Sequence, residues 1–369
     1  MIVKIEGNHL PKETWNKLDV NIAGIDSLPT FSCRDIDMLE VDGWKQSRFT
    51  PKYHKDLSPR DTEKIRALSK KGEIISGVGP DLDRLIVASK IDAYRFEAKG
   101  KNPKPLILNF DFLSGAADLT PIEIVVGDGV EAVVVEQLTA KKVVHGVAGA
   151  QIKFKIGKNA KVTFVQVQDI LSNMTFINDV GAIQKDDSEF NVITSIISGG
   201  TTYYGCQTNL YGKRAKYNHD IGYMVKGNEK LDMNFVAEHI AKKTEASIHA
   251  EGVLRGNAYK IFRSTVDFNA GCTASSGEER ENVLLMDDTV INKTVPLILC
   301  DEEDVEGAHG GTIGRLDDET LFYMMSRGMT KEEVYQKVAN ARLDAVINRI
   351  PVPEIRDRWI NRLHPEEEE

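Results

Sequence analysis

Between about Pro105 and Leu299 the chain contains no helix-length segment with helical periodicity, and this bounds its fold more tightly than any other feature. Short β-rich runs follow one another with turn residues between them: LILNFDFL, IEIVVG, EAVVVEQL, QIKFKIG, KVTFVQVQ, FNVITSIIS and DMNFVAEH. Ile152, Phe154 and Ile156 alternate strictly and then meet Gly157-Lys158-Asn159. Val162, Phe164, Gln166 and Gln168 share one face of the next run, because successive side chains of a strand point to opposite faces. Many short strands make a sandwich, a barrel or a β-helix, and periodicity does not choose among them. The runs recur irregularly, about every 10–20 residues, which suits stacked coils of a solenoid at least as well as hairpins. No clean sequence repeat is visible.

The flanks differ. Within 1–100, the stretch WKQSRFTPKYHKDL (44–57) reads as irregular and polar. SPRDTEKIRALSKKG (58–72) reads as a helix that Ser58 or Asp61 can cap and Gly72 can end. SGVGP (76–80) reads as a turn; its GxG lacks the third glycine and the preceding strand of a dinucleotide site. After Gly314 the chain turns helical. Asp317 and Asp318 can cap a helix carrying Leu321, Phe322, Met324 and Met325, and Gly328 can stop it. Thr330 and Glu333 form a T-x-x-E capping box for a second helix, with Val334, Val338, Ala341 and Ala345 as its apolar face. Pro351 and Pro353 end it, and a third short helix carries Ile355, Trp359 and Leu363. The expected organisation is a mixed region at 1–100, a β core at 101–314 and a helical region at 315–369.

Composition excludes some partners. The net charge is −9, so the basic surface that non-specific nucleic-acid binding needs is missing. The run Glu366–Glu369 adds to that charge and reads as a solvated end. No apolar run approaches the roughly 20 residues that span a bilayer. MIVKIEGNHLPKE has no signal-peptide core, so the expectation is a cytoplasmic protein. The four cysteines, Cys33, Cys206, Cys272 and Cys300, form no CxxC pair, which argues against a zinc knuckle or a ferredoxin-type site. In a reducing compartment they are free thiols.

The segment Asp304–Gly328, DVEGAHGGTIGRLDDETLFYMMSRG, sets a lone histidine, His309, in a glycine-rich stretch read as a turn, before a helix with an acidic first turn. It resembles the C-terminal signature of the SufB/SufD family of iron–sulfur cluster assembly scaffolds. HAEGVLRGNAYKIFRSTVDFNAG (249–271) resembles that family's strands ending in an N-x-G turn, and ENVLLM (281–286) resembles its leucine pair near the last coil. LFYMMSRGM (321–329) resembles its L-F-Y-x-x-x-R-G segment; the likeness runs from roughly Val162 to Ile350. It implies a mainly β fold, a right-handed parallel β-helix between an N-terminal mixed region and a C-terminal α-helical region. It also implies a scaffold, not an enzyme, that carries a transient iron–sulfur cluster and pairs with itself through the β-helix. The implied partners are a SufC-like ABC ATPase on the helical region, a sulfur donor and apo-protein acceptors. GAHGGTIG lacks the GK[ST] of a P-loop, so ATP hydrolysis falls to the partner.

The chain departs from the family pattern in places. A cysteine that SufB-like sequences carry just before the leucine pair falls on Glu281, and one that SufD-like sequences carry two residues before the histidine falls on Gly307. VQVQD (165–169) resembles a V-Q-N-W segment, with Gln168 retained and Ile170 in place of the tryptophan; a SufB lysine falls near Asp179. With the short length, this resembles the compact SufB-like scaffold of minimal two-component systems.

Cluster iron takes thiolate first, then imidazole and carboxylate. The candidate ligands are Cys272, after Asn269-Ala270-Gly271; Glu281, where the family has a thiolate; and His309. In a homodimer, one cysteine and one carboxylate or histidine per chain complete four ligands. The competing readings are a structural histidine, a turn cysteine and a solvated glutamate. Cys206, expected in a turn after Tyr203-Tyr204-Gly205, is a candidate sulfur acceptor; Cys300 in VPLILC reads as core, and Cys33 has no assignment. Phe322, Tyr323, Arg327, Val334 and Trp359 are the candidate ATPase contacts.

Two further readings compete. One is a regulatory β-helix subunit of the ATPase complex without its own cluster, which the missing family cysteines favour. The other is a β-helix carbohydrate-active enzyme. Asp186-Asp187 and Asp287-Asp288, read as neighbours in a strand, point to opposite faces and do not make the facing carboxylate pair of glycoside hydrolysis.

Overall fold

The β-rich stretch winds into two facing sheets, and the chain passes from one to the other at every corner. The structure is a computed structural model that describes residues 3–33, 41–52, 57–112, 117–140, 145–170 and 173–364. Before the winding come β1 (Val3–Gly7), β2 (Ala23–Leu28), β3 (Trp44–Phe49), α1 (Thr62–Ser69) and α2 (Pro80–Ala88). The first coils are β4 (Ala93–Ala98), β5 (Leu106–Asp111), β6 (Ala117–Val126), β7 (Glu131–Ala140), β8 (His145–Ile156), β9 (Lys161–Ile170), β10 (Asn173–Gln184) and β11 (Glu189–Ser198). The later ones are β12 (Thr201–Leu210), β13 (Lys216–Val225), β14 (Lys230–His239), β15 (Glu245–Leu254), β16 (Tyr259–Phe268), β17 (Ser275–Leu285), β18 (Ile291–Cys300) and β19 (Val305–Gly314). Helices α3 (Asp318–Ser326), α4 (Lys331–Ile347) and α5 (Pro353–Leu363) follow.

Even-numbered strands from β4 to β18 form one sheet, with β3 antiparallel at its edge; odd-numbered strands from β5 to β19 form the other. Neighbours within the winding run parallel. Their register offsets range from 26 residues (Thr175 to Thr201) to 32 (Tyr259 to Ile291). This is a parallel β-helix, as the resemblance implies. No helix of the structure is long and apolar enough to cross a membrane.

One corner explains why the coils stack and why their repeat is hidden. Gly129, Asn159, Asp187, Arg214, Lys243 and Ala274 all have φ between 54° and 67°. The N–H of each donates to the carbonyl of Lys158, Asp186, Lys213, Lys242, Thr273 and Asp304 respectively, the residue before the next coil's corner position. What recurs is a left-handed backbone and a hydrogen bond, not a side chain. Left-handed φ is costly for most L-residues, so stacking must hold the arginine, lysine and alanine there.

The lumen packs Phe110, Phe154, Phe164, Phe190, Tyr204, Tyr217, Phe235 and Phe262 into one apolar column. Both outer faces are covered as well. The even sheet carries the N-terminal region, where Ile25, Leu28, Val78, Leu82 and Ile86 pack on Leu119, Ile177 and Tyr203. The odd sheet carries α4 and α5, where Leu343, Val346, Ile347 and Trp359 pack on Val135, Val165, Val167 and Ile193.

The N-terminal region differs from its expectation. Residues 44–49 form β3 rather than irregular chain, because antiparallel pairing with β4 supplies the hydrogen bonds that the segment lacks alone. Residues 53–56 lie outside the described residues. The turn at 76–80 leads straight into α2, with Gly79 at φ 107° as its N-cap and Pro80 at the first helical position. At α4 the capping box is present, but the buried face is Val334, Tyr335, Ala339, Leu343, Val346 and Ile347. Val338 is half-buried and Ala341 and Ala345 are exposed. The larger side chains bury more apolar area, so they set the helix's rotation.

The N-terminal region touches the solenoid backbone to backbone. A Cβ on Gly205 would lie 2.2 Å from the Gly77 carbonyl carbon, and one on Gly77 would lie 2.0 Å from the Cys206 nitrogen. Gly205→Ala is therefore expected to lift residues 75–79 off the even sheet and speed proteolysis between residues 57 and 90 by about tenfold or more. Cleavage at the wild-type rate would show that this contact does not hold the region down.

Candidate functional site

The winding ends without a cap. Among the described residues strand β19 pairs only with β17, and residues 306–313 are all exposed. His309 sits mid-strand here, not in a turn, since Gly307, Gly310 and Gly311 pair in register with Gly277, Arg280 and Glu281. Glycine reads as a turn in the sequence; at this edge the neighbouring strand supplies the order. His309 continues a column through Ile248 and Glu279, which are in register across β15, β17 and β19. Glu279 is buried and accepts from the Val266 N–H at 3.1 Å. Burial pushes its carboxyl up to about 8, so at neutral pH it is largely an acid beneath the imidazole.

Glu281 is neither solvated nor free. It is 2 % exposed and faces Lys260, which is fully buried, at 2.6 Å. Tyr223 Oη donates to the same carboxylate at 2.6 Å, and Thr294 Oγ1 donates to its other oxygen at 2.6 Å. Burial lowers the Lys260 ammonium, and Glu281 pulls it back up. A carboxylate held by three donors is a counter-ion for the lumen lysine, and iron would have to displace all three.

The cysteines fall in four environments. Cys272 is buried in the turn after β16, against Val266 and Phe268, with Ile298 and Val305 nearby. Burial first, then the Glu302 carboxylate, pushes its thiol up to about 11. Cys206 is mid-strand in β12, not in a turn, and fully buried; burial pushes it up to about 12. It lies 3.5 Å from Tyr217 Oη, in a chain that runs through His219 and Thr194 to Tyr204 with spacings of 2.9, 2.9 and 3.1 Å. A neutral thiol sealed in the lumen is a poor nucleophile. Cys300, read as core, is exposed, because β18 is the last strand of its sheet among the described residues. Cys33 is half-buried.

Among the described residues no group of three His, Cys, Asp or Glu side chains is placed to hold a metal ion. Cys272, Glu281 and His309 therefore do not converge within one chain. The acidic pairs lie at corners rather than in strands. Asp187 pairs with Arg214, and Asp287 accepts from the Gly256 N–H at 2.6 Å.

In the helical region Phe322 is 75 % and Tyr323 57 % exposed, and Arg327 stacks on Tyr323. Val334 and Trp359 are buried in the chain's own packing. Met324, Val338, Ala341 and Ala345 line a shallow groove between α3 and α4. A cavity of about 860 Å³ lies between the N-terminal region and the even sheet; it is lined by His9, Arg66, Gln207, Asn234, Glu238 and Asp267 among others, and Cys300 stands at its edge. Sequence reading missed Lys260 and Glu279, although the alternation of YKIFRSTVDF puts Lys260 on the face of Phe262 and Val266.

Fold and site together define a parallel β-solenoid protein with Cys272, Cys300 and His309 at its last coils. The chain belongs to the family described as "SUF system FeS cluster assembly, SufBD core domain", which matches residues 114–341. It is similar to the iron–sulfur cluster assembly protein SufD of Bacillus subtilis, 30 % identical over 208 residues, 56 % of this chain and 47 % of that protein. It is also similar to SufD of Escherichia coli, 23 % over 216 residues, 58 % of this chain and 51 % of that one. A SufBD family protein of Mycobacterium leprae is 23 % identical over 229 residues, 60 % and 58 % of the two chains. The chain thus spans about half the length of the curated relatives it matches.

Proposed function

We propose that this chain is a scaffold on which iron–sulfur clusters are assembled, working as a homodimer through the open ends of two solenoids. The observation that carries the reading is the last coil, a strand with an unpaired edge and both faces exposed, within a solenoid of the SufBD core family. Unpaired strand edges and open apolar lumens are covered in stable proteins, and a second copy supplies the matching surface. Val305, His309 and Ile313 lie on one side of β19 by parity, so a twofold pairing doubles His309 at the join. Cys272 lies beside that opening and is the thiol carried into the proposed site. The homodimer fits the compact single-scaffold systems that the family departures resemble.

An ABC-type ATPase is proposed to dock on α3 and the groove beside α4, through Phe322, Tyr323 and Arg327. An exposed aromatic pair with an arginine is the composition of an interface anchor. Sulfur reaches the scaffold from a donor, and apo-proteins take the finished cluster. Ile313→Asp is expected to convert a dimer to a monomer in light scattering. Anaerobic reconstitution with iron and sulfide is expected to give a cluster absorption band in the wild type that the monomer lacks. A wild type that stays monomeric and colourless with the ATPase present would leave a structural subunit of the ATPase complex, the reading that the missing family cysteines favour.

A further inference from the structure

The carboxylate that stands where the family has a thiolate is held by Lys260, Tyr223 and Thr294, so the chain's thiol ligands must be sought elsewhere. Two cysteines stand at the same corner of the last coils. Phe268 and Cys300, the final residues of β16 and β18, are register partners. Cys272 lies four residues beyond Phe268 and clusters with it and Val266; Ile298, two residues before Cys300 on the same face of β18, packs against that cluster. Both thiols border Glu302: the Cys300 Sγ–H donates to its carbonyl at 2.9 Å, and the Gly271 N–H, next to Cys272, donates to its carboxylate at 2.9 Å. Further N–H groups of Glu303 and Asp304 aim at the same carboxylate, at 3.1 and 3.5 Å.

We propose that Cys272 and Cys300 form a paired-thiolate site for a soft or borderline metal, and that they are the two ligands each chain gives to the cluster. For its cargo the inference rests on the scaffold reading; the thiol pair itself does not. Iron in clusters is held by thiolates before any other side chain, and two thiolates from each of two chains complete the usual four. The corner suits a cation. Glu302 sets a carboxylate at the same corner as both cysteines, and metal binding to thiols releases their protons. One thiol is exposed and the other buried, so the pair has an entrance and a shielded side. Cys300 also edges the large cleft, which opens the corner to solution.

The test uses the full chain, reduced and freed of thiol reagents, titrated anaerobically with Cd²⁺ and read by thiolate-to-cadmium absorption. The wild type is expected to show the band, and Cys300→Ser and Cys272→Ser to weaken binding by about tenfold or more, since a site with one thiolate loses most of its preference for soft metals. Cys33→Ser is the control, and circular dichroism checks the folding of each variant; Cys300 is exposed, so its variant decides. Absence of the band in the wild type, or wild-type Cd²⁺ binding by Cys300→Ser, overturns the proposal. The same proteins are then reconstituted with iron and sulfide. Loss of iron and sulfide in Cys300→Ser supports the cluster role, and full retention overturns it. A wild type that binds Cd²⁺ through both thiols yet builds no cluster sinks the scaffold reading and leaves the metal site standing.

Discussion

Glu281→Ala is expected to destabilise the folded chain by about 3–5 kcal/mol, the usual cost of stranding one partner of a buried ion pair. Lys260 has no exposed side-chain surface, and its charge has Glu281 as its ion-pair partner at 2.6 Å; its other hydrogen bonds go to the Lys293 carbonyl and to Thr294. Removing the carboxylate also strips Tyr223 and Thr294 of the acceptor they share. Urea unfolding should show a lower midpoint with little change in slope, because the surface exposed on unfolding stays the same. The double variant Lys260→Met with Glu281→Leu should recover much of the loss, since the pair's attraction is set against the cost of burying two charges. This cycle separates structure from chemistry. A cluster defect in Glu281→Ala that the double variant rescues belongs to folding. A stability loss under about 1 kcal/mol would mean that the pair is hydrated and that Glu281 is open to metal after all.

The sequence carries the strands of this protein clearly and the winding poorly, for a physical reason. In β9, Val162, Phe164, Gln166, Gln168 and Ile170 all fall on the buried inner face that alternation assigns them. In β12, β14 and β16 nearly every residue is buried, since the N-terminal region covers the outer face, and the period of two is lost. The repeat is invisible because the corner ladder is a matter of φ and hydrogen bonds, which glycine, asparagine, aspartate, arginine, lysine and alanine all satisfy when stacked. Without a likeness to known scaffolds, periodicity would have left sandwich, barrel and helix equally open.

The site was legible in part. His309 and Cys272 stand out as residue types, and both lie at the last coils. What no local pattern shows is where a winding stops. Cys300 follows four apolar residues and reads as core, yet it ends the final strand of its sheet, so no further coil buries it. Glu281 stands in the acidic run Glu278–Glu281 and reads as solvated, yet the pleat turns it inward onto a lysine of the facing sheet. End effects and partners across the lumen are tertiary facts, and a single sequence holds them only as parity.

Stability should fall as the pH rises from about 5 to 8, the reverse of what a chain rich in surface ion pairs would show. Among the described residues burial raises six carboxyls: Glu136 and Glu238 to about 7, Glu279 to about 8, Asp179 and Asp267 to about 6, and Asp81 upward from its ordinary value. The unfolded chain releases these protons near 4.5 for glutamate and 3.8 for aspartate. Between those values and the raised ones the folded state holds more protons, so each rise in pH favours unfolding. For Glu136, shifted from 4.5 to about 7, the loss is roughly 3 kcal/mol once both states have ionised. His219 and His239 act in the opposite sense. Burial lowers both to about 3 from 6.5, so their stabilisation is full above 6.5 and drains away as the pH falls. From 4.5 to 6.5 the five acids with the large shifts oppose His219 and His239, while burial also raises Asp81 and lowers His9 in the matching senses; above 6.5 the glutamates act with no histidine against them. Urea midpoints measured across this range should therefore descend, and Glu136→Gln, which keeps an acceptor for Gln166 but cannot ionise, should flatten the descent by about its own share. A midpoint that climbs from pH 5 to 8 would mean that water reaches these carboxyls and that the lumen is not the dry interior its packing describes.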